Sequence, residues 1–196
     1  MIRWIKKLFY KVRLEIQYRK KNQRIKKERS FHIPLEVDHY GMIKGNIAGW
    51  MHIDEAQVLC ESVVGRTHCL ELGTHKGLST SLIALANPHA KIITTEIFLD
   101  LTNQAKQNCK NLNNINFITT DSNDWLADCK TKFDWVFVDH CHDKDYMDVT
   151  MELLPSRLQD NHKVLLHDTH LDGVRSQLKK FKDYTVHRNL GIGKFW

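Results

Sequence analysis

The chain has 196 residues, of which 42% are apolar, with 9 Gly and 3 Pro. This length and composition fit one folded domain with a short extension, and they exclude a disordered or fibrous protein. The net charge of +6 is uneven, because residues 1–30 carry 12 Lys and Arg against 2 Glu, whereas residues 31–196 carry 17 Lys and Arg against 21 Asp and Glu.

The first thirty residues predict a basic amphipathic helix. Ile5, Leu8 and Val12 recur at helical spacing between lysines and arginines. We expect residues 1–30 to be a helical extension and residues 31–196 to form the main domain. Such a helix suits an anionic membrane surface, the phosphates of a nucleic acid, or a protein partner that includes a second copy of the chain. The alternative is that its apolar stripe covers the domain's own core.

The cysteines and the hydropathy of the chain indicate where in the cell the protein is expected. The 5 Cys contain no CxxC pair, so neither a disulfide framework nor a thiolate zinc site is indicated. No run of about 18 uncharged apolar residues is present to cross a bilayer, and no secretory signal is recognisable. We therefore expect a cytoplasmic protein, with residues 1–30 as the part that can touch a membrane.

Beyond residue 66, short apolar runs alternate with helical stretches. This alternation is typical of an α/β fold with a parallel sheet covered on both faces. Residues 40–50 indicate a loop, and the final thirteen residues indicate a hairpin that closes the sheet. The predicted strands are 68–72, 91–96, 116–120, 133–139 and 163–168, and the predicted helices are 52–64, 79–86, 99–111, 146–158 and 173–181.

The first strand of this series leads into a glycine-rich turn, in the sequence CLELGTHKGLST. The strand ends in Glu71, the chain turns through Gly73 and Gly77, and a helix begins near Ser79. Glycine has no side chain, so a ligand can approach the backbone closely at such a turn. The pattern is neither GxGxxG, since His75 takes the place of the second glycine, nor a phosphate-binding P-loop. An ordinary strand-to-helix turn is the alternative.

Acidic residues end the next two strands. Glu96 follows the second strand, where a carboxylate can accept hydrogen bonds from the two hydroxyls of a ribose, and Asp121 with Ser122 follows the third. Because the carboxyl ends of parallel strands share one edge of a sheet, these side chains are expected to face one crevice. A solvated acid at the end of a strand is the alternative for each.

In this order and spacing, the residues resemble the class I S-adenosylmethionine-dependent methyltransferases. ELGTHKG resembles their first motif, Glu96 the acid that holds the ribose, and Asp121 the residue beside the adenine. The resemblance implies a Rossmann-like fold, with a seven-stranded, mostly parallel sheet and helices on both faces. Ser79 is expected to cap its helix, to bind the methionine carboxylate of the cofactor, or to do both. The residues expected at S-adenosylmethionine are Glu71, Gly73, Thr74, His75, Gly77, Ser79, Glu96, Asp121, Ser122 and Asp139.

Two later segments narrow the resemblance. FDWVFVDHCHDKDY followed by KVLLHDTH is similar to the O-methyltransferase branch that includes catechol O-methyltransferase, and to bacterial methyltransferases whose fifth strand ends in HDT. This similarity implies methylation of a hydroxyl on a small molecule or a sugar. Asp139 and Asp168 end neighbouring strands, where they can share one Mg²⁺. His167 is the third candidate ligand, because Thr169 replaces the amide of the catechol branch.

The same similarity gives two candidates for the general base. His142 stands where related bacterial enzymes have a histidine, and it is the preferred base, with Lys144 in reserve. A solvated polar loop is the alternative for both.

Two other functions remain open at this point. One is a catalytically idle domain that binds the cofactor and acts as an adaptor through its basic helix. The other is a nucleic-acid methyltransferase that uses the basic arm, although the chain has DHCH where amino methyltransferases carry an NPPY-type tetrapeptide.

Overall fold

A computed structural model describes residues 36–38, 42–45 and 47–195 of the chain. The predicted basic helix lies outside these residues, and its boundary with the main domain stays a prediction. The strands are β1 Glu36–Val37, β2 Ile43–Lys44, β3 His68–Leu72, β4 Lys91–Glu96, β5 Ile115–Thr119, β6 Phe133–Val138, β7 Leu158–Leu166, β8 Phe181–His187 and β9 Leu190–Phe195. The helices are α1 Ile53–Val63, α2 Leu78–Ala86, α3 Leu99–Asn108, α4 Ser122–Asp128, α5 Lys144–Leu153 and α6 Asp172–Arg175, with 3₁₀ turns at Leu154–Arg157 and Leu178–Lys180.

The strands β3 to β9 form one sheet in the order β5-β4-β3-β6-β7-β9-β8. The first five strands in this order, β5, β4, β3, β6 and β7, run parallel, whereas β9 is antiparallel to both β7 and β8. The predicted seven-stranded, mostly parallel sheet with a closing hairpin is therefore confirmed. The chain moves outward from β3 to β5 and then returns to place β6 on the other side of β3. A crevice opens at such a reversal, at the carboxyl ends of the strands.

Alternation along the central strands builds two apolar cores. Trp135 and Phe137 of β6 face one side of the sheet and pack in a buried cluster with residues of α1 and α2. Val136 and Val138 face the other side, in a cluster with residues of α4 and α5. Successive side chains of a strand point to opposite faces, so the nearly continuous apolar run of β6 is explained by helices on both faces.

Three predicted elements differ most from the structure in their extent. The helix predicted over 146–158 ends at Leu153, and a 3₁₀ turn containing Pro155 follows it. The helix predicted over 173–181 is split into α6 and a 3₁₀ turn, because the N–H groups of Gln177 and Lys180 each donate to the carbonyl three residues earlier. Strand β7 begins at Leu158, five residues before the predicted start. The sequence prediction missed the first half of this strand because most of its residues are polar.

Two elements were missed by the sequence prediction. Helix α4 begins directly after Asp121, whose Oδ1 accepts hydrogen bonds from the backbone N–H groups of Asn123 and Asp124. An aspartate before a helix is a common N-terminal signal, whereas the sequence interpretation assigns Asp121 to ligand binding alone. In the predicted loop over 40–50, strand β2 pairs with β1 as a short antiparallel hairpin. Within the described residues, no helix combines the length and apolarity needed to span a bilayer.

Candidate functional site

A cavity of about 620 Å³ opens at the crevice between the carboxyl ends of the parallel strands. Its size lies in the range of small-molecule sites. Six of the ten residues predicted to bind the cofactor line it: Gly73, His75, Glu96, Asp121, Ser122 and Asp139. The other lining residues are Trp50, Thr95, Ile97, Phe98, Leu101, His140, Cys141, Tyr146, His167 and Asp168.

Gly73 lets the turn after β3 touch the end of β6. Its φ is +100°, and a Cβ atom at this position would lie 2.2 Å from the carbonyl oxygen of Asp139. The N–H of Asp139 donates to the carbonyl of Leu72 at 2.8 Å, which holds the two segments together. A side chain at residue 73 would therefore be both strained and blocked, so the cavity is bounded here by bare backbone.

Glu96 presents a carboxylate to the cavity while its backbone partners keep it in place. Oε2 accepts the N–H of His75 at 2.8 Å, and Oε1 accepts the N–H of Phe98 at 3.1 Å. Each carboxylate oxygen has a second acceptor site, and the side chain lines the cavity although the residue is only 8% exposed. The arrangement suits a ligand that brings two hydroxyl donors.

Asp121 combines two roles at the neighbouring strand end. One oxygen caps α4, whereas Oδ2 accepts the hydroxyl of Tyr146 at 2.9 Å. Ser122 is held beside it, with its hydroxyl 2.8 Å from the hydroxyl of Thr95. The wall formed by these residues is polar and fixed before any ligand arrives.

Four residues predicted to touch the cofactor, Glu71, Thr74, Gly77 and Ser79, do not line the cavity, and their contact with the cofactor stays a prediction. Glu71 is fully buried behind it and accepts hydrogen bonds from the hydroxyls of Ser79, Thr80 and Thr94. The hydroxyl of Ser79 therefore donates to Glu71. Ser79 does not cap α2, because Gly77 is the N-cap residue of that helix. Thr74 is buried, and its hydroxyl donates a hydrogen bond to the carbonyl of Thr95. These residues shape the turn from behind.

The burial of Glu71 predicts a pH-dependent stability. Burial raises the pKa of this carboxyl from an ordinary value of 4.5 to about 7. The hydrogen bonds from the three hydroxyls lower the pKa, and the repulsion from Asp139 raises it. Between these two pH values the folded chain holds a proton that the unfolded chain releases. The free energy of unfolding should therefore fall by about 3 kcal/mol as the pH rises from about 4.5 to about 7.

Urea denaturation across this pH range tests the prediction. Glu71→Gln cannot titrate, so its stability should lack this decline, whereas the exposed Glu152→Gln should follow the wild type. Parallel pH profiles for Glu71→Gln and the wild type would contradict the assignment of a protonated Glu71.

On the other side of the cavity, Asp139, His142 and Asp168 form a compact cluster. One ligand atom from each lies within 4.8 Å of the others. The Nε2 atom of His142 is 3.6 Å from an oxygen of Asp139 and 3.6 Å from an oxygen of Asp168. Among the described residues this nitrogen is buried and makes no hydrogen bond. Asp168 adopts a φ of +57°, a conformation that aspartate tolerates better than most side chains.

The donor set of this cluster fits a divalent cation. Two carboxylates suit Mg²⁺ or Mn²⁺, and an imidazole suits Zn²⁺ or Fe²⁺. The sequence prediction named His167 as the third ligand beside the two aspartates. The structure places His142 at ligand spacing, while Nδ1 of His167 lies 3.0 Å from Asp139 and 3.6 Å from Asp168, so His167 as a metal ligand stays a prediction.

His167 is placed among acids. Its Nδ1 donates to Oδ1 of Asp139 at 3.0 Å, and its Nε2 lies 3.6 Å from Oε2 of Glu55. Burial lowers the pKa of His167, but Asp139, Glu55 and Asp168 outweigh burial and raise the pKa to about 10.

Lys144, the reserve base, points elsewhere. It is the first residue of α5, its ammonium pairs with Asp148 at 2.5 Å, and its side chain is 60% exposed. That hydrogen bond raises the pKa of Lys144, and the residue does not line the cavity. His142 does not line the cavity either, but its Nε2 lies 3.6 Å from Asp139 and from Asp168, which do, so His142 remains the preferred candidate base.

Sequence reasoning missed several residues that the fold brings to the cavity. Trp50 precedes α1 and is 85% exposed at the cavity wall, and Ile97 and Phe98 are exposed there as well. His140 also lines the cavity, and burial lowers its pKa to about 4, so that it is neutral. The position of Ile97 and Phe98 directly after Glu96 was a usable signal. Trp50 ends the segment 41–50, which the sequence indicates as a loop over the site or a hinge.

Comparison with known proteins places this geometry in a family context. The sequence profile of the family described as "Methyltransferase domain" matches residues 70–169. No curated protein sequence matches the chain.

Several solved structures share its fold. They include cofactor-bound Rv0187 from MTB, at 17% identity over 77% of this chain and 83% of that chain, with a TM-score of 0.64. An O-methyltransferase from Bacillus cereus in complex with SAH has 18% identity over 75% and 83% of the two chains, with a TM-score of 0.62. The O-methyltransferase TomG from Streptomyces achromogenes, in complex with SAM, has 16% identity over 76% and 82%, with a TM-score of 0.62. At these identities the likeness establishes a common fold.

Proposed function

This chain belongs to the methyltransferase-domain family, and on that premise we propose that it transfers the methyl group of S-adenosylmethionine to a hydroxyl of a small molecule or a sugar. The observation that carries the proposal is a cavity with cofactor-type residues along one wall and Asp139 and Asp168 at the other, with His142 next to these two aspartates. The O-methyltransferase identity of the Bacillus cereus and TomG structures supports the choice of a hydroxyl as acceptor.

The cofactor is proposed to lie along the Gly73, Glu96 and Asp121 side of the cavity. Glu96 has acceptor sites free for the two ribose hydroxyls, and the bare backbone at Gly73 admits close approach. The exposed apolar side chains of Ile97 and Phe98 offer a surface for the flat adenine ring.

The reaction proposed is an in-line displacement. An oxygen lone pair of the acceptor attacks the methyl carbon, the bond from that carbon to the sulfonium breaks, and S-adenosylhomocysteine leaves with the electron pair. The acceptor's proton passes to Nε2 of His142, where the carboxylates of Asp139 and Asp168 stabilise the resulting imidazolium. The chain otherwise supplies alignment of the two reactants.

A divalent cation, when bound, would be held by Asp139, His142 and Asp168. It would occupy the lone pair of the His142 imidazole, so holding a cation and accepting the acceptor's proton are alternative roles of His142. The chemistry of the cation would be to lower the pKa of the acceptor hydroxyl. The remaining work of alignment and water exclusion belongs to the cavity walls in either case.

Loss of Glu96 is expected to weaken cofactor binding. Glu96→Ala removes two hydrogen bonds to a carboxylate, so the Kd for S-adenosylmethionine should rise roughly 30- to 150-fold, which corresponds to about 2 to 3 kcal/mol. Isothermal titration calorimetry measures this change. Glu61→Ala, which removes an exposed acid of α1, serves as the matched control and should bind like the wild type. Equal Kd values for the two variants would remove Glu96 from the cofactor site.

Methyl transfer itself is tested with labelled S-adenosylmethionine and a panel of catechols, other phenols and sugars. Label in an acceptor supports the proposal. Loss of transfer in EDTA, with recovery in MnCl₂ or MgCl₂, would show a cation requirement, whereas insensitivity to EDTA would show that His142 acts unaided. Tight cofactor binding without transfer to any acceptor would favour the adaptor function, and transfer only to RNA or DNA would favour a nucleic-acid methyltransferase.

A further inference from the structure

Glu55 is a buried acid on α1 that the proposed reaction does not use. Only 3% of the residue is exposed. Its Oε2 accepts the N–H of His52 at 2.8 Å, as the return half of a capping box, and its Oε1 accepts the N–H of Asn189 at 3.1 Å. A capping box needs no burial, and a buried carboxylate is costly unless charge compensates it. The capping role therefore leaves the burial of Glu55 unexplained.

The buried group that faces Glu55 is the imidazole of His167. Its Nε2 lies 3.6 Å from Oε2 of Glu55, an ion-pair distance, while Nδ1 on the opposite side of the ring donates to Asp139. The edge of the Phe137 ring meets the His167 ring at a centroid distance of 5.9 Å and an interplanar angle of 62°. The ring is thus held by a hydrogen bond at Nδ1 and by an aromatic neighbour. Its Nε2 makes no hydrogen bond among the described residues and faces the Glu55 carboxylate at 3.6 Å.

Asp139 and His167 both line the cavity, and Asp139 is the one of the two that lies 3.6 Å from Nε2 of His142. His167 holds Oδ1 of Asp139, and the backbone N–H of Asp139 is bonded to Leu72. With both ends of the residue fixed, the plane of the carboxylate is set relative to His142 and to the cavity. A carboxylate that faces a reacting group must keep its angle as well as its distance.

We propose that Glu55 is a positioning residue that fixes the His167 ring from behind and, through it, the orientation of the Asp139 carboxylate at the cavity. The proposal deepens the proposed function, on which it rests for the role of Asp139. The Glu55 carboxylate is separated from the cavity by the imidazole, so it acts on the reaction without touching a reactant. A purely structural role, as a cap and as a tie to Asn189, is the competing explanation.

The first test needs no acceptor. In the full-length protein labelled with ¹⁵N-histidine, the ring signals of His167 are assigned by their loss in His167→Gln. Glu55→Gln keeps the size of the side chain, removes its charge and replaces one of its two acceptor oxygens with an NH₂ donor. We expect the exchange of the Nδ1 proton with water to quicken at least about tenfold in this variant, because the ring loses its rear support. Asp54→Asn, one residue earlier and with a side chain that is 47% exposed, should leave the exchange unchanged.

Unchanged His167 signals in Glu55→Gln would overturn the proposal, whether or not an acceptor is known. If Glu55→Gln does not fold, Glu55→Asp keeps the charge and withdraws it by one methylene, and a smaller increase in exchange is expected. Thermal unfolding of each variant identifies the samples that are folded.

The second test uses an acceptor that the transfer assay has identified. In Glu55→Gln, kcat should fall about tenfold to a hundredfold, while the KM for S-adenosylmethionine changes less than about twofold. Asp54→Asn should match the wild type in both constants. A kcat that falls only in proportion to the unfolded fraction would assign Glu55 a structural role and overturn the proposal.

Discussion

Replacing Gly73 by alanine is expected to lower the free energy of unfolding by about 2 to 5 kcal/mol. The first cause is conformational, because a φ of +100° costs a residue with a Cβ atom about 1 to 2 kcal/mol. The second is steric, because the new atom would lie 2.2 Å from the carbonyl oxygen of Asp139 and 2.9 Å from the nitrogen of His140. Overpacking of this kind costs about 1 to 3 kcal/mol.

Gly65 provides the matched control, since it has a φ of +79° and a Cβ atom added there would meet no other atom within 4 Å. Gly65→Ala should therefore show the conformational cost alone. Urea denaturation of both variants measures the difference. Calorimetry with S-adenosylmethionine should also show binding lost in Gly73→Ala and kept in Gly65→Ala, because relief of the clash moves Asp139. Equal destabilisation by the two substitutions would contradict the close approach of β3 and β6.

The largest effect on turnover is expected at His142. His142→Asn removes the proposed proton acceptor, and general bases contribute about 10²- to 10⁴-fold to rate. We therefore expect kcat to fall by about that factor while the Kd for S-adenosylmethionine changes less than about twofold. We expect the cofactor affinity to be preserved because the residues proposed to bind the cofactor, Gly73, Glu96 and Asp121, lie on the other wall of the cavity.

The control for this variant is His89→Asn, which replaces an exposed histidine in the loop between α2 and β4. Both proteins are compared in the labelled transfer assay with the same acceptor. Full activity in His142→Asn would assign the proton transfer to another group. A simultaneous loss of cofactor binding would instead show that His142 supports the cofactor wall.

The sequence was a reliable guide wherever a strand carried its own signal. Gly73, Glu96 and Asp139 were placed at strand ends by apolar runs that stop at a polar residue or a glycine, and all three line the cavity. Parallel strands bring their carboxyl ends to one edge, so position along the chain was enough to bring these residues together.

The sequence was a weaker guide to side chains whose direction depends on a distant segment. Glu71 ends the same strand that leads to Gly73, but alternation turns it toward α2, where Ser79 and Thr80 bury it. Lys144 lies near His142 in sequence, yet the first turn of α5 carries it to Asp148. The direction of neither side chain can be predicted from the spacing of residues alone.

Local patterns therefore determined the class of fold, the order of its strands and the edge where the site lies, because they depend on hydrophobic period and on residues a few positions apart. Only the tertiary structure decided which acid is buried, which histidine joins the aspartate pair and which acts from behind it. Glu55 and His167 show why: 112 residues separate them in the chain, and only packing of α1 against the end of β7 brings their charges to 3.6 Å.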